Sequence, residues 1–304
     1  MTHPTNNPSH LAAVRGSTEL AEVSTAGSAA TPAHLGLGIG WRPEIALTID
    51  RRRDLGFVEI TAEHFPGAQV PPAIDRLRER GLAVIPHGIS LSLGGAEPVD
   101  RDRVRALGDL AKRVGAPLVS EHIAFVRAGG IESGHLLPVS RTRAGLEVVV
   151  ENVKVARDLL PVPLALENIS ILFDWPGAEM AEAEFVTEIL ERTDSLLLLD
   201  IANVWANAKN LGGEERALLR DLPLNRLAYV HVGGGEERDG VYHDTHAAPV
   251  PAGVFDLVES LCTLTHPPGV MIERDDDFPP DWELEAELDR LARAVQAGAE
   301  RRRV

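Results

Sequence analysis

Residues 195–204 read Ser-Leu-Leu-Leu-Leu-Asp-Ile-Ala-Asn-Val, an aliphatic run that ends on a carboxylate. A short apolar run without alternation is the pattern of a strand buried on both faces. Seven further runs of the same kind occupy residues 35–41, 56–63, 83–90, 117–125, 162–170, 227–233 and 270–274. Between them the apolar residues recur at helical spacing. Val104, Leu107, Ala111 and Val114 form one such face before Gly115, and Leu146, Val149, Val150 and Val153 form the next. Phe185, Ile189 and Leu190 follow, then Leu257, Leu261 and Leu264, and finally Leu284, Leu288, Leu291 and Val295. The connection around Pro71 and Pro72 is weaker. Eight strands alternating with helices predict parallel pairing through right-handed crossovers, and eight such units close into an α/β (β/α)8 TIM barrel. A doubly wound open sheet is the alternative, but no Gly-x-Gly-x-x-Gly follows the first strand.

The barrel is expected to be a single catalytic domain over residues 34–304. Residues 1–33, rich in Ser, Thr, Asn, Ala and Pro, read as a disordered tail. They lack the basic start and apolar block of a secretory signal. The chain has 304 residues, 44% hydrophobic and 25% charged, with a net charge of −16. That charge repels phosphate backbones and anionic lipid, so neither nucleic acid nor membrane is an expected partner. No 18-residue apolar run is present, and the cytoplasm is the expected compartment. Cys262 is the only cysteine and sits in an apolar run, as a small buried hydrophobe would. Any metal must therefore be held by His, Asp, Glu and Asn.

Barrel enzymes carry their chemistry where strands end. The second run ends in Glu63-His64, the third contains His87-Gly88, and the fourth contains Ser120-Glu121-His122. The fifth holds Glu167-Asn168, the sixth Asp200 and Asn203, and the seventh His231. His243-Asp244-Thr245-His246 follows in a loop, and the eighth run ends in Glu273-Arg274-Asp275. Singly, a strand-end His is an ordinary hydrogen-bonded residue and a strand-end Asp an ordinary helix cap. Together they place many carboxylates and imidazoles on one rim, which is costly unless cations neutralise them. Imidazole nitrogen with carboxylate oxygen suits iron, manganese or zinc. Adjacent strand residues face opposite ways, so only one of Glu121 and His122 points inward. Asp244 and His246, two apart, point the same way in an extended segment. Asp200 and Asn203 lie where the strand is expected to turn into a loop. Glycines 94–95 and 233–235 suit a permissive turn better than a phosphate cradle.

Taken together, His87-Gly88-x-x-Leu91-Ser92-Leu93-Gly94, Ser120-Glu121-His122, Leu166-Glu167-Asn168, Asp200-x-x-Asn203, His231-Val232 and Asp244-Thr245-His246 resemble the multinuclear non-heme iron-dependent oxidative enzymes. This is the family of MbnB and TglH, and the resemblance runs from about Leu35 to the last helix. It implies a barrel like that of xylose isomerase and endonuclease IV. It also implies two or three irons, mixed Fe(II) and Fe(III), with dioxygen as co-substrate. The implied substrate is a side chain, often Cys, of a ribosomal precursor peptide, recognised with the help of a small partner protein. Carried over by position, one ion takes His87, Glu121 or His122, and Glu167. A second shares Glu167 and adds Asp200, His231 and Glu273. A third takes Asn203, Asp244 and His246. Glu167, Asp200 and His231 are then the central catalytic set, with Glu63, His64, Ser90 and Asn168 facing the substrate. Many relatives carry a His shortly after the seventh strand, where glycines 233–235 stand here.

Three other readings compete. A phosphodiesterase of the endonuclease IV type fits the ligand order but not the acidic surface. A sugar isomerase or epimerase predicts a Lys beside the metals, and no Lys ends a run. A non-catalytic peptide scaffold has no need of this ligand set.

Overall fold

The computed structural model describes residues 34–303, so the expected tail over residues 1–33 lies outside the described residues. The strands are β1 (Gly36–Gly40), β2 (Leu55–Thr61), β3 (Ala83–His87), β4 (Val119–His122), β5 (Ala124–Ala128), β6 (Ile131–Pro138), β7 (Leu164–Glu167), β8 (Leu196–Asp200), β9 (Leu227–Val232), β10 (Glu236–Arg238), β11 (Val241–His243) and β12 (Gly269–Ile272). Eight of them close a barrel in the order β1-β12-β9-β8-β7-β4-β3-β2. Every barrel pair is parallel. The helices are α1 (Ala46–Arg51), α2 (Pro72–Glu79), α3 (Arg101–Val114), α4 (Arg143–Leu159), α5 (Glu182–Thr193), α6 (Ile201–Leu211), α7 (Glu215–Asp221), α8 (Ala252–Leu264) and α9 (Asp281–Arg302).

Side chains alternate along each strand, and the two faces have separate cores. Val58, Ile60, Val84, Val119, Leu166, Leu197, Leu199, Val230 and Ile272 face outward and join the helices in the larger core. Phe57, Ile85, Leu118, Ala165, Leu198, Tyr229 and Met271 fill the barrel interior. One step further along the same inward face, two residues on, stand Glu59, His87, Ser120, Glu167, Asp200, His231 and Glu273. The fold therefore stacks a polar layer directly on an apolar plug, as inward-facing barrel positions do in layers.

Two features depart from the sequence expectation. The run over residues 195–204 is not strand then loop. α6 starts at once at Ile201, and Asp200 caps it by accepting from Asn203 N–H at 2.7 Å. The fourth run breaks at Ile123, and β5 leaves the barrel to pair with β6 as an antiparallel hairpin. A second hairpin, β10–β11, carries the residues before Asp244. β6 and β10 are mostly polar and exposed, so they lack the apolar runs that mark barrel strands.

β1 gives the plug no side chain. A Cβ on Gly38 would lie 2.3 Å from the Phe57 ring, which meets Tyr229 edge-on. Gly38→Ala is therefore expected to overpack the plug and cost about 1–3 kcal/mol. Urea unfolding measures this, and an unchanged midpoint would contradict the packing described.

Candidate metal centre

Glu59, His87, His122, Glu167, Asp200, His231 and Glu273 are each at most 7% exposed. β4 settles its own orientation. His122 Nε2 lies 3.3 Å from Glu167 Oε2, whereas the Glu121 carboxylate turns away and accepts from the N–H groups of Leu91 and His122 at 2.9 and 2.8 Å. Glu121 thus sits behind His122. Glu167 reaches both sides of the centre. Its Oε2 faces His87 Nε2 at 3.4 Å as well as His122, and its Oε1 faces His231 Nδ1 at 3.3 Å. Glu273 Oε2 is 3.0 Å from His231 Nδ1 and 3.3 Å from His246 Nδ1.

His246 joins from the loop after β11, with Nε2 at 3.1 Å from Asp244 Oδ2 and 3.8 Å from Asp200 Oδ2. The segment is not extended as expected, since His246 has φ +49°. The glycines explain how the loop gets so close. A Cβ on Gly233 would lie 2.6 Å from the His246 ring, and Gly234 and Gly235 back onto the carbonyls of Ala248 and His243. None of the three has a positive φ, so close approach rather than a left-handed turn requires glycine.

Among the described residues, three-ligand groups within reach of one cation are His87, His122 and Glu167, then Glu167, Asp200 and His231, then Asp200, His246 and Glu273. Glu59 forms a further group with His231 and Glu273. The sequence reading missed Glu59, Tyr229 and Arg42. Arg42 bonds Asp275 and approaches Glu273 to 3.7 Å. Of the expected substrate contacts, Glu63 and Ser90 line the mouth. His64 is exposed and does not line it. Asn168 is not free for substrate, because its amide bonds the Asp200 backbone N–H and C=O, each at 2.9 Å.

The fit to a cation rests on buried polar atoms without a hydrogen-bond partner. Glu167 Oε2, Asp200 Oδ2, Asn203 Oδ1, His231 Nδ1, Asp244 Oδ1 and His246 Nε2 are all in this condition. Such atoms are costly to bury, and five of the six are oxygens or nitrogens of His and carboxylate groups. They converge with no thiolate nearby, which fits a cluster of borderline cations rather than a structural zinc. Above them opens a cavity of about 940 Å3, walled by the β5–β6 hairpin, residues 170–173 and the loop carrying Asp244.

Charge couples these groups strongly. Burial alone would lower the His122 imidazole, but Glu167 and Glu121 outweigh it and hold it up at about 9. Burial would raise Glu167, yet His122, His231 and His87 pull it down to about 2. Burial, then repulsion by Asp244 and Glu167, raises Asp200 well above the carboxylate range. Cations entering here displace protons, so metal affinity should rise with pH.

A sequence profile for the family described as RiPP precursor modification enzyme MbnB/TglH/ChrH matches residues 36–296. A UPF0276 protein of Streptomyces avermitilis is 50% identical over 274 residues, 88% of this chain and 56% of that one, so the chain spans little more than half of that relative's length. A UPF0276 protein of Caulobacter vibrioides is 39% identical, over 88% of this chain and 96% of its own. Among solved structures, a xylose isomerase domain protein from Planctomyces limnophilus superposes with TM-score 0.58 at 15% identity, covering 88% of this chain and 98% of that one. Endonuclease IV from Thermus thermophilus does so with TM-score 0.54 at 19% identity, covering 87% and 99%. At these identities the likeness establishes a xylose isomerase-like TIM barrel and nothing finer.

The charge coupling fixes a pH dependence for metal-free protein. His122, raised from 6.5 to about 9, contributes stability that is complete below pH 6.5 and lost as the pH rises through 9. Glu167, lowered from 4.5 to about 2, contributes stability present above pH 4.5 and lost as the pH falls through 2. The Tm of metal-free protein should therefore peak between pH 4.5 and 6.5 and fall toward pH 9. The gain in Tm on adding metal should grow over that same rise. A metal-free Tm that climbs from pH 6 to 9 would show that these groups are not paired as described.

Proposed function

Because the chain belongs to the MbnB/TglH/ChrH family of RiPP precursor modification enzymes, we propose that it is a multinuclear iron enzyme that uses dioxygen to modify a side chain, often Cys, of a ribosomally made precursor peptide. The observation that carries this reading is the set of convergent buried donor atoms around Glu167 that have no hydrogen-bond partner, beneath one large cavity. Two ions on either side of Glu167 would be held by His87 and His122 on one side and by Asp200 and His231 on the other. A third would take His246 with Asp200 and Glu273, with Asp244 beside His246 and Asn203 on the first turn of α6 after Asp200. When bound, iron supplies the redox chemistry with dioxygen that no side chain of this centre can provide.

The protein's own part is to orient and enclose. His and carboxylate donors on strand ends are rigidly placed. The apolar plug beneath them excludes water from below. The cavity wall mixes apolar groups, among them Ile89, Leu172 and Phe173, each at least 40% exposed, with the polar residues of the Asp244 loop. An extended peptide can lay apolar side chains on the first wall while presenting its reacting group to the centre. A small leader-recognition partner is part of this reading. Among the described residues no Lys lines the cavity, which leaves the sugar isomerase or epimerase reading without its expected residue.

The test is to incubate iron-loaded protein with Cys-containing ribosomal precursor peptides from the same genome, following oxygen uptake and peptide mass. An oxygen-dependent mass change is expected. Glu167→Gln should reduce it by at least about 100-fold, beyond the loss usual for residues that only support ligands. Modification that proceeds equally without oxygen, or with Glu167→Gln, would refute the reading.

A further inference from the structure

Below the cation-facing atoms a line of buried polar groups joins His87 to His231. His87 Nδ1 lies 2.8 Å from Ser120 Oγ, and Ser120 Oγ lies 2.7 Å from the Tyr229 hydroxyl. Tyr229 donates to Glu59 Oε2, and His231 Nε2 lies 2.9 Å from that same oxygen. Ser120, Tyr229 and His231 are wholly buried, and Glu59 is 1% exposed.

An ionised carboxylate only accepts, so the direction of the whole line is set from Glu59 outward. His231 donates its Nε2–H and Tyr229 its O–H to Glu59. The Tyr229 oxygen then accepts from Ser120, and Ser120 accepts from His87 Nδ1–H. When neutral, each ring then keeps a lone pair on its other nitrogen, Nε2 of His87 and Nδ1 of His231. These two atoms face different oxygens of Glu167, at 3.4 and 3.3 Å.

We propose that Glu59, Tyr229 and Ser120 form one positioning device that fixes the ring orientation and proton-bearing nitrogen of His87 and His231 together, so that both rings present a free nitrogen to cations on opposite sides of Glu167. Glu59 is then a brace and not a ligand, although it lies within reach of His231 and Glu273. It stands behind the His231 ring, and its Oε2 already accepts two hydrogen bonds. Hydrogen-bonding the far nitrogen of a ligating His is how proteins set its tautomer and aim it. Here one carboxylate does so for two rings, one directly and one across two hydroxyls.

The inference rests on the metal reading, and its test separates the two. Wild type, Tyr229→Phe, Ser120→Ala and Ser120→Thr are loaded anaerobically with 57Fe(II), and iron content, Mössbauer spectra and Tm are recorded. Tyr229→Phe keeps the ring that meets Phe57, and Ser120→Ala cuts the same arm at a second point. Both should lose or shift the subspectrum of the ion at His87 and His122, with binding there weakened about 10–100-fold. The His231 side should stay as in wild type, and Ser120→Thr, which keeps the hydroxyl, should restore the spectrum. Tyr229→Phe and Ser120→Ala that melt lower but load and resonate as wild type overturn the brace alone. Wild type that takes up no iron overturns the metal reading and this proposal together.

Discussion

Glu167 is the group on which the rest of the centre depends. A carboxylate 1% exposed at the end of a parallel strand has no solvent to stabilise its charge. It is held instead by three imidazoles, two at Oε2 and one at Oε1. Each of those imidazoles ends or nearly ends a different strand, so the barrel must close in register for the charges to meet. The pairings His122 with Glu167 and Asp200 with His231 in adjacent strands put these groups at matching heights.

The barrel meets this demand by alternation. Phe57, Ile85, Leu198, Tyr229 and Met271 fill the interior, and the residue two further along each of those strands is polar. The plug fixes where the polar layer sits and keeps water from reaching it from below. The loop ending in His246 walls one side of the cavity above it and is pinned by Asp275 N–H to the His246 carbonyl at 2.9 Å and by Arg274 to the Ala247 carbonyl at 3.2 Å. Arg274 is itself fixed by Glu287 of α9, so the helix shell and the mouth are one connected structure.

Much of this was legible in the residues. The eight aliphatic runs identify the barrel strands, because a strand covered on both faces has no polar side to show. The strand-end carboxylates and histidines mark the rim for the same reason. Glu59 was readable and missed: it stands two residues after Phe57 inside an apolar run, on the inward face. Tyr229 gave no such signal, since an aromatic in a buried strand is ordinary core. Asn168 reads like a substrate contact, but its partners are backbone atoms of the neighbouring strand, which local sequence does not specify. Asp200 as the cap of α6, Arg42 reaching Asp275 across 233 positions and the outward hairpin at Ala124 are likewise settled by tertiary contacts.

The claim that these donors exist to hold cations is tested most directly by anomalous diffraction from crystals of anaerobically purified protein, with data on both sides of the iron K edge. At least two edge-dependent peaks should flank Glu167, one beside His87 and His122 and one beside Asp200 and His231. Donors bridged only by ordered waters, with no edge-dependent peak at full protein occupancy, would contradict it.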